Sequence, residues 1–507
     1  MRKEKDSLGF VEVPVGALYG AQTARAVENY PISGMRAHPL LIRAVAMVKR
    51  AAAEANQELG LLKDPDPTQA KGAPEWGTRQ RGARVGAIIQ AAQEVIDGKW
   101  DAEFVVDVFQ AGAGVSFHMN ANEVIANRAN EMLGGKRGEY AFVHPNDHVN
   151  YGQSTNDVFP TAMRVAALLA LETLYPELDA LADAFAVKGR EFDGVMKSGR
   201  THMQDAVPIR LGQEFAAYGV AIRKAGETLR AAGDGLRELG LGGTAVGTGL
   251  NTDPGYRTKA VENLARIADQ ALFPAEDLRW AMQSQAPLGQ VSAALRGLAL
   301  EVIRISNDLR LLSSGPNTGF NEIHLPSLQP GSSIMPGKIN PVMAELAAMV
   351  SFQVVGNDTA AALALQAGQL ELNVMMPAIA YNVLQSTTIL ANTLRVFTEK
   401  CVMGISANEE KCRHYAESTI ALATALNPRI GYAKAAELVK ESVATGKSIV
   451  ELAREKGVLN EKELKEILDP AKMTEPRAET NESFTAEGTE ASVQTAKGKN
   501  GTNGAIR

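Results

Sequence analysis

The sequence has only two cysteines, Cys401 and Cys412, among its 507 residues. Two cysteines cannot build a disulfide framework or a thiolate metal cage. No uninterrupted apolar run approaches the roughly 18 residues that a membrane-spanning helix needs. The opening stretch, MRKEKDSLGFVEVP, has no apolar segment of the kind found in secretory signals. By elimination, we expect a cytoplasmic protein that does not bind membranes.

Basic clusters and common hydrolase signatures are also missing. The formal net charge is −6 and the sequence has no block of lysine or arginine, which argues against nucleic acid as a partner. Neither the GxSxG turn nor the HExxH helix occurs. His144 and His148 are four residues apart, but the intervening proline disfavours a regular helix and no third ligand is evident. The sequence therefore predicts no metal site.

Long helices are predicted for most of the chain. Apolar residues from Val291 to Leu312 recur at steps of four and three, which is the stripe of a helix that faces a partner in a bundle. Residues 158–192 have a similar pattern, and we expect Pro176 to kink or break that helix. Residues 343–401 are apolar on more than one face. Such a helix is buried in a large core or in a subunit interface, and we favour the interface.

The sequence divides into four predicted segments. Residues 1–147 mix short extended stretches with helices, residues 148–404 contain the long-helix bundle, and residues 405–472 form a small helical domain. Residues 473–507 have almost no large apolar side chains and are expected to be disordered. Residues 64–84 are rich in proline, glycine and arginine, which predicts an exposed loop.

The stretch GSSIMPGKINPV, residues 331–342, leads from a loop into an apolar helix. Its glycines and proline allow sharp turns, its backbone N–H groups at the helix start can bind an anion, and Lys338 adds a full positive charge. Ser332 and Ser333 are adjacent hydroxyls. A serine becomes an alkoxide only where several donors and a cation stabilise the charged form. The stretch fits a catalytic anion site, but also a loop that only caps the helix.

Three other segments are rich in polar or small residues. GRTHMQDA, 199–206, places Thr201 beside His202, and imidazole suits proton transfer or carboxylate binding, although an isolated histidine is more often a surface residue. HPNDHVNYGQSTND, 144–157, is typical of a tight turn or an anion site. GLGGTAVGTG, 240–249, lacks the Lys-Ser/Thr pair of a nucleotide-binding loop, so its glycines indicate a turn or close backbone packing.

Taken together, these segments resemble the aspartase/fumarase superfamily. The likeness extends from KDSLGFVEVPVGALYGAQT to LNPRIGYAKAAELVKESVATGKS, and its motifs are GSSIMPGKINP, GRTHMQDAVP, HPNDHVNYGQSTND, GGTAVGTGLNT and AGQLELNVMMP. The resemblance implies an all-α, three-domain subunit with a central bundle of long helices that assembles into a homotetrameric helical core. It also implies active sites shared between subunits and no required cofactor, and it leaves activation by a divalent cation open.

The resemblance implies elimination of ammonia, water or another group from a succinyl skeleton through a doubly charged aci-carboxylate. Ser332 then corresponds to the base, and Lys338 with the loop amides stabilises its alkoxide. His202 corresponds to the histidine near the substrate, and Glu345 to its charge partner. The implied contacts to the dicarboxylate substrate are Thr201, Ser154, Thr155, Asn156, Ser333 and Asn340. The implied second anion site consists of His144, Asn146 and Asp147.

The identity of the substrate depends on small differences. The run Ser154-Thr155-Asn156 favours L-aspartate, which gives fumarate and ammonia, because fumarases tend to carry two serines before the asparagine. Fumarate hydratase, which converts malate into fumarate and water, is the alternative, since one methyl group separates serine from threonine. A structural member of the superfamily without activity is a remote alternative, because some members serve as lens proteins.

Two residues depart from the superfamily pattern. Val115, in GAGVSFHMN, stands where the family usually has a threonine that contacts the substrate. Our hypothesis is that the neighbouring Ser116 replaces that hydroxyl. Asn317, in SGPNTGFNE, stands where many relatives carry arginine. The resemblance gives no account of what Asn317 does.

Overall fold

The computed structural model describes residues 1–62 and 82–476 of the chain. Most of the loop predicted at 64–84 and most of the tail predicted at 473–507 therefore lie outside the described residues. Long helices dominate the rest, which confirms the all-α class and the bundle of long helices. The chain forms two compact units: residues 1–197 with 210–415, and residues 198–209 with the segment from 416 onwards. The division into domains at 147, 404 and 472 stays a prediction.

The larger unit begins with a β-hairpin. Strand β1 (Arg2–Asp6) pairs antiparallel with β2 (Gly9–Val13), so the extended stretch expected near residue 9 is confirmed. Four helices follow: α1 (Ala21–Asn29), α2 (Pro39–Glu58), α3 (Ala83–Ile96) and α4 (Val115–Met132).

The central helices of the larger unit are longer and are separated by short strand pairs. The helices are α5 (Thr155–Glu191), α6 (Leu211–Asp234), α7 (Tyr256–Ala268), α8 (Leu278–Gln283), α9 (Ala286–Leu312), α10 (Val342–Gln366) and α11 (Met376–Lys400). The strand pairs are β3 (Met196–Thr201) with β4 (Gln204–Arg210), β5 (Glu238–Leu239) with β6 (Phe273–Pro274), and β7 (Ile323–His324) with β8 (Ser406–Ala407).

Packing between these helices forms the main core. Helix α5 packs against α6 and α11, while α9 packs against α6 and α10. The predicted stripe from Val291 to Leu312 is buried along α9, which confirms it. Pro377 lies in the first turn of α11, where a proline is tolerated because the backbone N–H it lacks would have no partner within the helix.

Helix α5 continues through Pro176, so the chain does not break there, and a kink at this proline stays a prediction. The hydrogen bond lost at the proline is offset by packing along the length of this buried helix. Helix α5 is also long and apolar enough to cross a membrane by length and composition alone, but 78% of its most apolar window is buried inside the protein. Such burial is expected of a helix that is apolar on most sides and lies in a large core.

Short helices build the smaller unit. Helix α12 (Glu409–Ser418) leads into it, and it contains α13 (Asn427–Ile430), α14 (Tyr432–Thr445), α15 (Ile449–Glu455) and α16 (Glu461–Ile467). Its own apolar core includes Leu426, Leu438, Leu452 and Leu464. The hairpin segment 198–209 belongs to the same unit, where the Thr419 hydroxyl donates to the Ala206 carbonyl at 3.2 Å.

Candidate active site

The serine loop, residues 331–340, is closed by its own backbone. The N–H of Gly331 donates to the carbonyl of Lys338 at 2.8 Å, and the side-chain amide of Asn340 donates to the carbonyl of Gly331 at 2.8 Å. A Cβ at position 331 would lie 2.7 Å from the Lys338 oxygen, so only glycine allows this closure. The loop leads into α10, and Glu345 lies in the first turn of that helix.

Within this loop, Ser332 receives two backbone donors. Its Oγ accepts the N–H of Ile334 at 3.2 Å and the N–H of Met335 at 2.9 Å. Donors that point at an oxygen stabilise its deprotonated form over its neutral form. Ser333 and Lys338 are exposed, and no ion pair is formed by Lys338 within residues 1–62 and 82–476. The lysine charge is therefore available to an anionic ligand.

The predicted second anion site forms one turn. Residues 145–149 make a π-helical turn that His144 caps, since its Nδ1 accepts the N–H of Asp147 at 3.3 Å. Asn146 and Asp147 are exposed and His144 is half-buried. The structure thus brings the three predicted residues together at one surface position, and their role in binding an anion stays a prediction.

The start of α5 holds the Ser-Thr-Asn residues against the glycine loop, residues 240–249. Ser154 caps the helix, and its N–H donates to one carboxylate oxygen of Asp157 at 2.9 Å. The other oxygen accepts the N–H groups of Gly242 and Thr244, each at 3.0 Å. Asn156 donates to the carbonyl of Ala245 at 2.8 Å. The prediction of close backbone packing in the glycine loop is confirmed.

Asp157 is buried, and burial raises its pKa to about 6, while its three N–H donors act in the opposite direction. The carboxyl group therefore carries a charge near neutral pH.

Two site residues were missed by sequence reasoning. His118 contacts the Thr155 hydroxyl through Nδ1 at 2.7 Å and Lys49 through Nε2 at 2.5 Å. Both Lys49 and His118 are fully buried. A signal was available, because Lys49 lies on the stripe of α2 that runs through Val45 and Ala52, where an apolar residue is expected.

Thr201 and His202 lie at the tip of the β3–β4 hairpin, in the smaller unit. His202 and Met203 form a two-residue turn with positive φ values of 53° and 60°, the geometry that suits the twist of two antiparallel strands. Positive φ values carry a steric cost for residues other than glycine. Strain of this kind is commonly retained at functional sites, where the backbone holds a side chain in a required position. Both Thr201 and His202 are exposed.

The predicted residues thus form separate groups within one chain. Ser154, Thr155 and Asn156 share the start of α5, whereas Ser332, Ser333, Lys338 and Asn340 share the serine loop. Among the described residues of the larger unit, no hydrogen bond joins these two groups.

The two departures from the superfamily pattern occupy different settings. Val115 is the first residue of α4 and is 41% exposed, while Ser116 is buried. The hypothesis that Ser116 replaces the missing hydroxyl stays a prediction. Asn317 is exposed, and nothing in the structure explains it. No cluster of three or more metal-ligating side chains occurs in the part of the chain that the structure describes.

Comparison with known proteins places the chain among lyases. Residues 9–356 match the family described as Lyase, and residues 422–475 match the family described as Fumarase C C-terminus. An aspartate ammonia-lyase from a Bacillus species is 48% identical over 94% of this chain and 98% of its own length. A class II fumarate hydratase from Halobacterium salinarum is 49% identical over 93% of this chain and 97% of its own length.

A solved structure shows the same fold. The crystal structure of a fumarate lyase:delta crystallin from Brucella melitensis, bound to cobalt, is 47% identical with a TM-score of 0.87, and the match covers 94% of this chain and 100% of that one. The fold and the matched families define an enzyme of the lyase class. The chain belongs to the aspartase/fumarase superfamily, which confirms the resemblance found in the sequence.

The titration of His148 gives a test of the π-helical turn. Its Nδ1 accepts the N–H of His144 at 2.8 Å, which requires a neutral ring. Burial, together with the charge of Arg84, lowers the pKa of His148 from 6.5 to about 4. On acidification the unfolded chain takes up this proton first. The free energy of unfolding therefore falls as the pH drops from 6.5 towards 4.

We expect His148→Asn to lose less stability on acidification than the unsubstituted protein. The difference should be about 1–2 kcal/mol between about pH 7.5 and about pH 4.5, less than the full pKa shift would give because the ring is partly solvated. Urea unfolding at the two pH values measures it. His414→Asn, at an exposed position on α12, is the control. Equal pH dependence in all three proteins would contradict the assignment of a neutral His148.

Proposed function

We propose that this protein catalyses the reversible elimination of ammonia from L-aspartate to give fumarate. The observation that carries the proposal is the environment of Ser332, whose oxygen already receives two backbone N–H donors. A general base that removes a carbon-bound proton must first lose its own, and these donors with the nearby Lys338 favour that form. Similarity to aspartate ammonia-lyases along 94% of the chain supports a carbon–nitrogen lyase.

In the proposed mechanism Ser332 removes the proton next to a substrate carboxylate. The resulting aci-carboxylate carries two negative charges, which require donors and cations at fixed positions. Lys338, Ser333 and Asn340 supply these from the serine loop. The second substrate carboxylate is assigned to Ser154, Thr155, Asn156 and Thr201, and His202 with Glu345 to proton movement near the leaving group.

Fumarate hydratase remains the second candidate. It is favoured by one specific observation, the Halobacterium salinarum enzyme, whose identity to this chain equals that of the aspartate ammonia-lyases. A structural role without catalysis is the remote candidate. Against it stand the two donors on Ser332, because a scaffold has no need to stabilise a serine alkoxide.

Fumarate formation from L-aspartate and from L-malate tests the proposal directly. We expect the ultraviolet absorbance of fumarate to appear with aspartate, and Ser332→Ala to lower kcat by at least about 10²-fold, the usual loss when a positioned base is removed. Ser7→Ala, at an exposed position on the β1–β2 turn, is the matched control. Fumarate from malate alone would identify a hydratase. No fumarate from either would support the structural role.

Substitution of Val115 gives a second test, which asks whether this position contacts the substrate. A threonine hydroxyl at this exposed position can donate a hydrogen bond that valine cannot. A hydrogen bond to a charged group contributes ~1.5–3 kcal/mol, so we expect Val115→Thr to lower KM by roughly ten- to hundredfold. Val115→Ile, which adds bulk without a hydroxyl, is the control. Unchanged kinetics in Val115→Thr would count strongly against any substrate contact at this position.

We also propose that the chain assembles into a homotetramer whose active sites are shared between subunits. Helix α10 is apolar on several faces, and it exposes Met349, Phe352 and Leu363 by 60% or more in the single chain. Exposed apolar area of this kind marks an interface. An interface at α10 would also bring residues of other chains towards the serine loop, which leads into this helix.

Light scattering should give a mass about four times that of the 54.0 kDa chain. Phe352→Asp should reduce this mass, because it puts a charge in the middle of the apolar face. Phe10→Asp is the control, since Phe10 is 70% exposed on β2, away from that face. A monomer in the unsubstituted protein would contradict the proposal. A cytoplasmic location and independence from any cofactor stay proposals.

A further inference from the structure

A buried polar network lies directly behind Thr155. Lys49 and His118 are 0% and 1% exposed. The Lys49 amine contacts three acceptors: His118 Nε2 at 2.5 Å, Asn150 Oδ1 at 3.0 Å and Gln153 Oε1 at 2.8 Å. On its other side His118 contacts the Thr155 hydroxyl. We call Lys49, His118 and Thr155, with the two amides, the Thr155 network.

Both amides in this network have fixed orientations. Asn150 Nδ2 donates to the carbonyl of Gln153, and Gln153 Nε2 donates to the carbonyl of Val149. Their oxygens therefore face Lys49. A lysine ammonium has three donors and no acceptor, which matches two amide oxygens and one imidazole nitrogen.

Charge balance also favours the ammonium form of Lys49. Burial lowers the pKa of Lys49 well below its ordinary value, although the Asp157 carboxylate acts in the opposite direction. That carboxylate accepts three backbone N–H bonds, so a buried negative charge lies close to the network and favours a positive charge on Lys49.

The ammonium determines where the His118 proton lies. Since Nε2 accepts from Lys49, the ring proton must be on Nδ1. Burial and the positive charge of Lys49 hold the pKa of His118 well below its ordinary value, so the ring is neutral. The Nδ1–H then donates to Thr155 Oγ1. Because that oxygen accepts here, its own proton is free to donate elsewhere.

We propose that Lys49 and His118 are positioning residues that fix the Thr155 hydroxyl as a donor to a substrate carboxylate. This inference rests on the proposed function, in which Thr155 contacts a dicarboxylate. If Lys49 lost its proton, the network would reverse: Nε2–H would donate to the amine, and Nδ1 would accept the Thr155 proton. The ligand carboxylate would then face only an acceptor, so affinity falls as the pH rises through the pKa of Lys49.

The other titratable groups that face the network do not produce this change. Asp157, on α5, is already ionised at neutral pH and above. Tyr256, on α7, lies near Asp157, and burial raises the pKa of its hydroxyl well above the ordinary value. Alkaline loss of affinity through this network therefore depends on Lys49.

Two amide substitutions at position 118 separate positioning from packing. In His118→Asn the side-chain N–H₂ takes the place of Nδ1–H and keeps the donor to Thr155. In His118→Gln the amide reaches the place of Nε2 and keeps an acceptor for Lys49, but Thr155 loses its donor. The probe is succinate, a dicarboxylate without an amino group, with binding measured by calorimetry from about pH 7 to about pH 10.

At neutral pH we expect His118→Asn to bind succinate within about threefold of the unsubstituted protein, and His118→Gln to bind it roughly ten- to hundredfold more weakly. Raising the pH should weaken binding to the unsubstituted protein more than to His118→Asn, whose amide donates at every pH. Any contribution from Lys338 is common to both proteins and cancels in the comparison. Thermal unfolding confirms that each variant is folded.

Several outcomes overturn the inference. Strong binding by His118→Gln with weak binding by His118→Asn would show that His118 only satisfies Lys49. The same pH dependence in the unsubstituted protein and His118→Asn, or no binding of succinate at all, would also exclude it. If His118→Asn does not fold, the comparison of His118→Gln with the unsubstituted protein at neutral pH still tests the inference.

Failure of the inference is distinguishable from failure of the proposed function. The expected succinate pattern without fumarate from either substrate would leave the network assignment standing and remove the proposed activity. Fumarate from aspartate, together with a succinate affinity that does not depend on residue 118, would support the proposed activity and exclude the network assignment.

Discussion

The buried carboxylate of Asp157 is the group on which the candidate site depends. One oxygen accepts the N–H of Ser154, and the other accepts the N–H groups of Gly242 and Thr244. The bond from Ser154 caps α5, and the other two join the first turn of this helix to a glycine loop some eighty residues further along the chain. The polar side chains at that helix start are oriented as a result. In the network proposed above, the ammonium of Lys49 balances this buried negative charge.

A buried ion and its partners fix geometry more tightly than apolar packing would, because each donor must meet its own acceptor. Along the series of hydrogen bonds from Lys49 through His118 to Thr155, the protonation state of Lys49 sets which group donates in each bond. The serine loop differs from this buried network. It is exposed and is closed by its own backbone, and it already directs two N–H groups at Ser332.

Local sequence patterns predicted those features that depend on residues close together in the sequence. The steps of four and three along α9 predicted its buried stripe, and the motifs predicted the superfamily and the polar turns. Pro176 does not end α5, because packing around the helix offsets the hydrogen bond that the proline removes. Lys49 and His118 were missed for a related reason. The two residues are 69 positions apart in the sequence, and the sequence around each one does not indicate that it contacts the other. How the separate groups of site residues are arranged in space depends on long-range contacts, which no local pattern encodes.

The smaller unit is made from two distant segments of the chain. Its hairpin at 198–209 is translated early, yet the Thr419 hydroxyl that binds its Ala206 carbonyl follows 213 residues later. At ribosomal rates of roughly 5–20 residues per second, tens of seconds pass between the synthesis of the strands that carry His202 and the synthesis of Thr419. The surroundings of His202 in the smaller unit are therefore completed only after Thr419 has been synthesised.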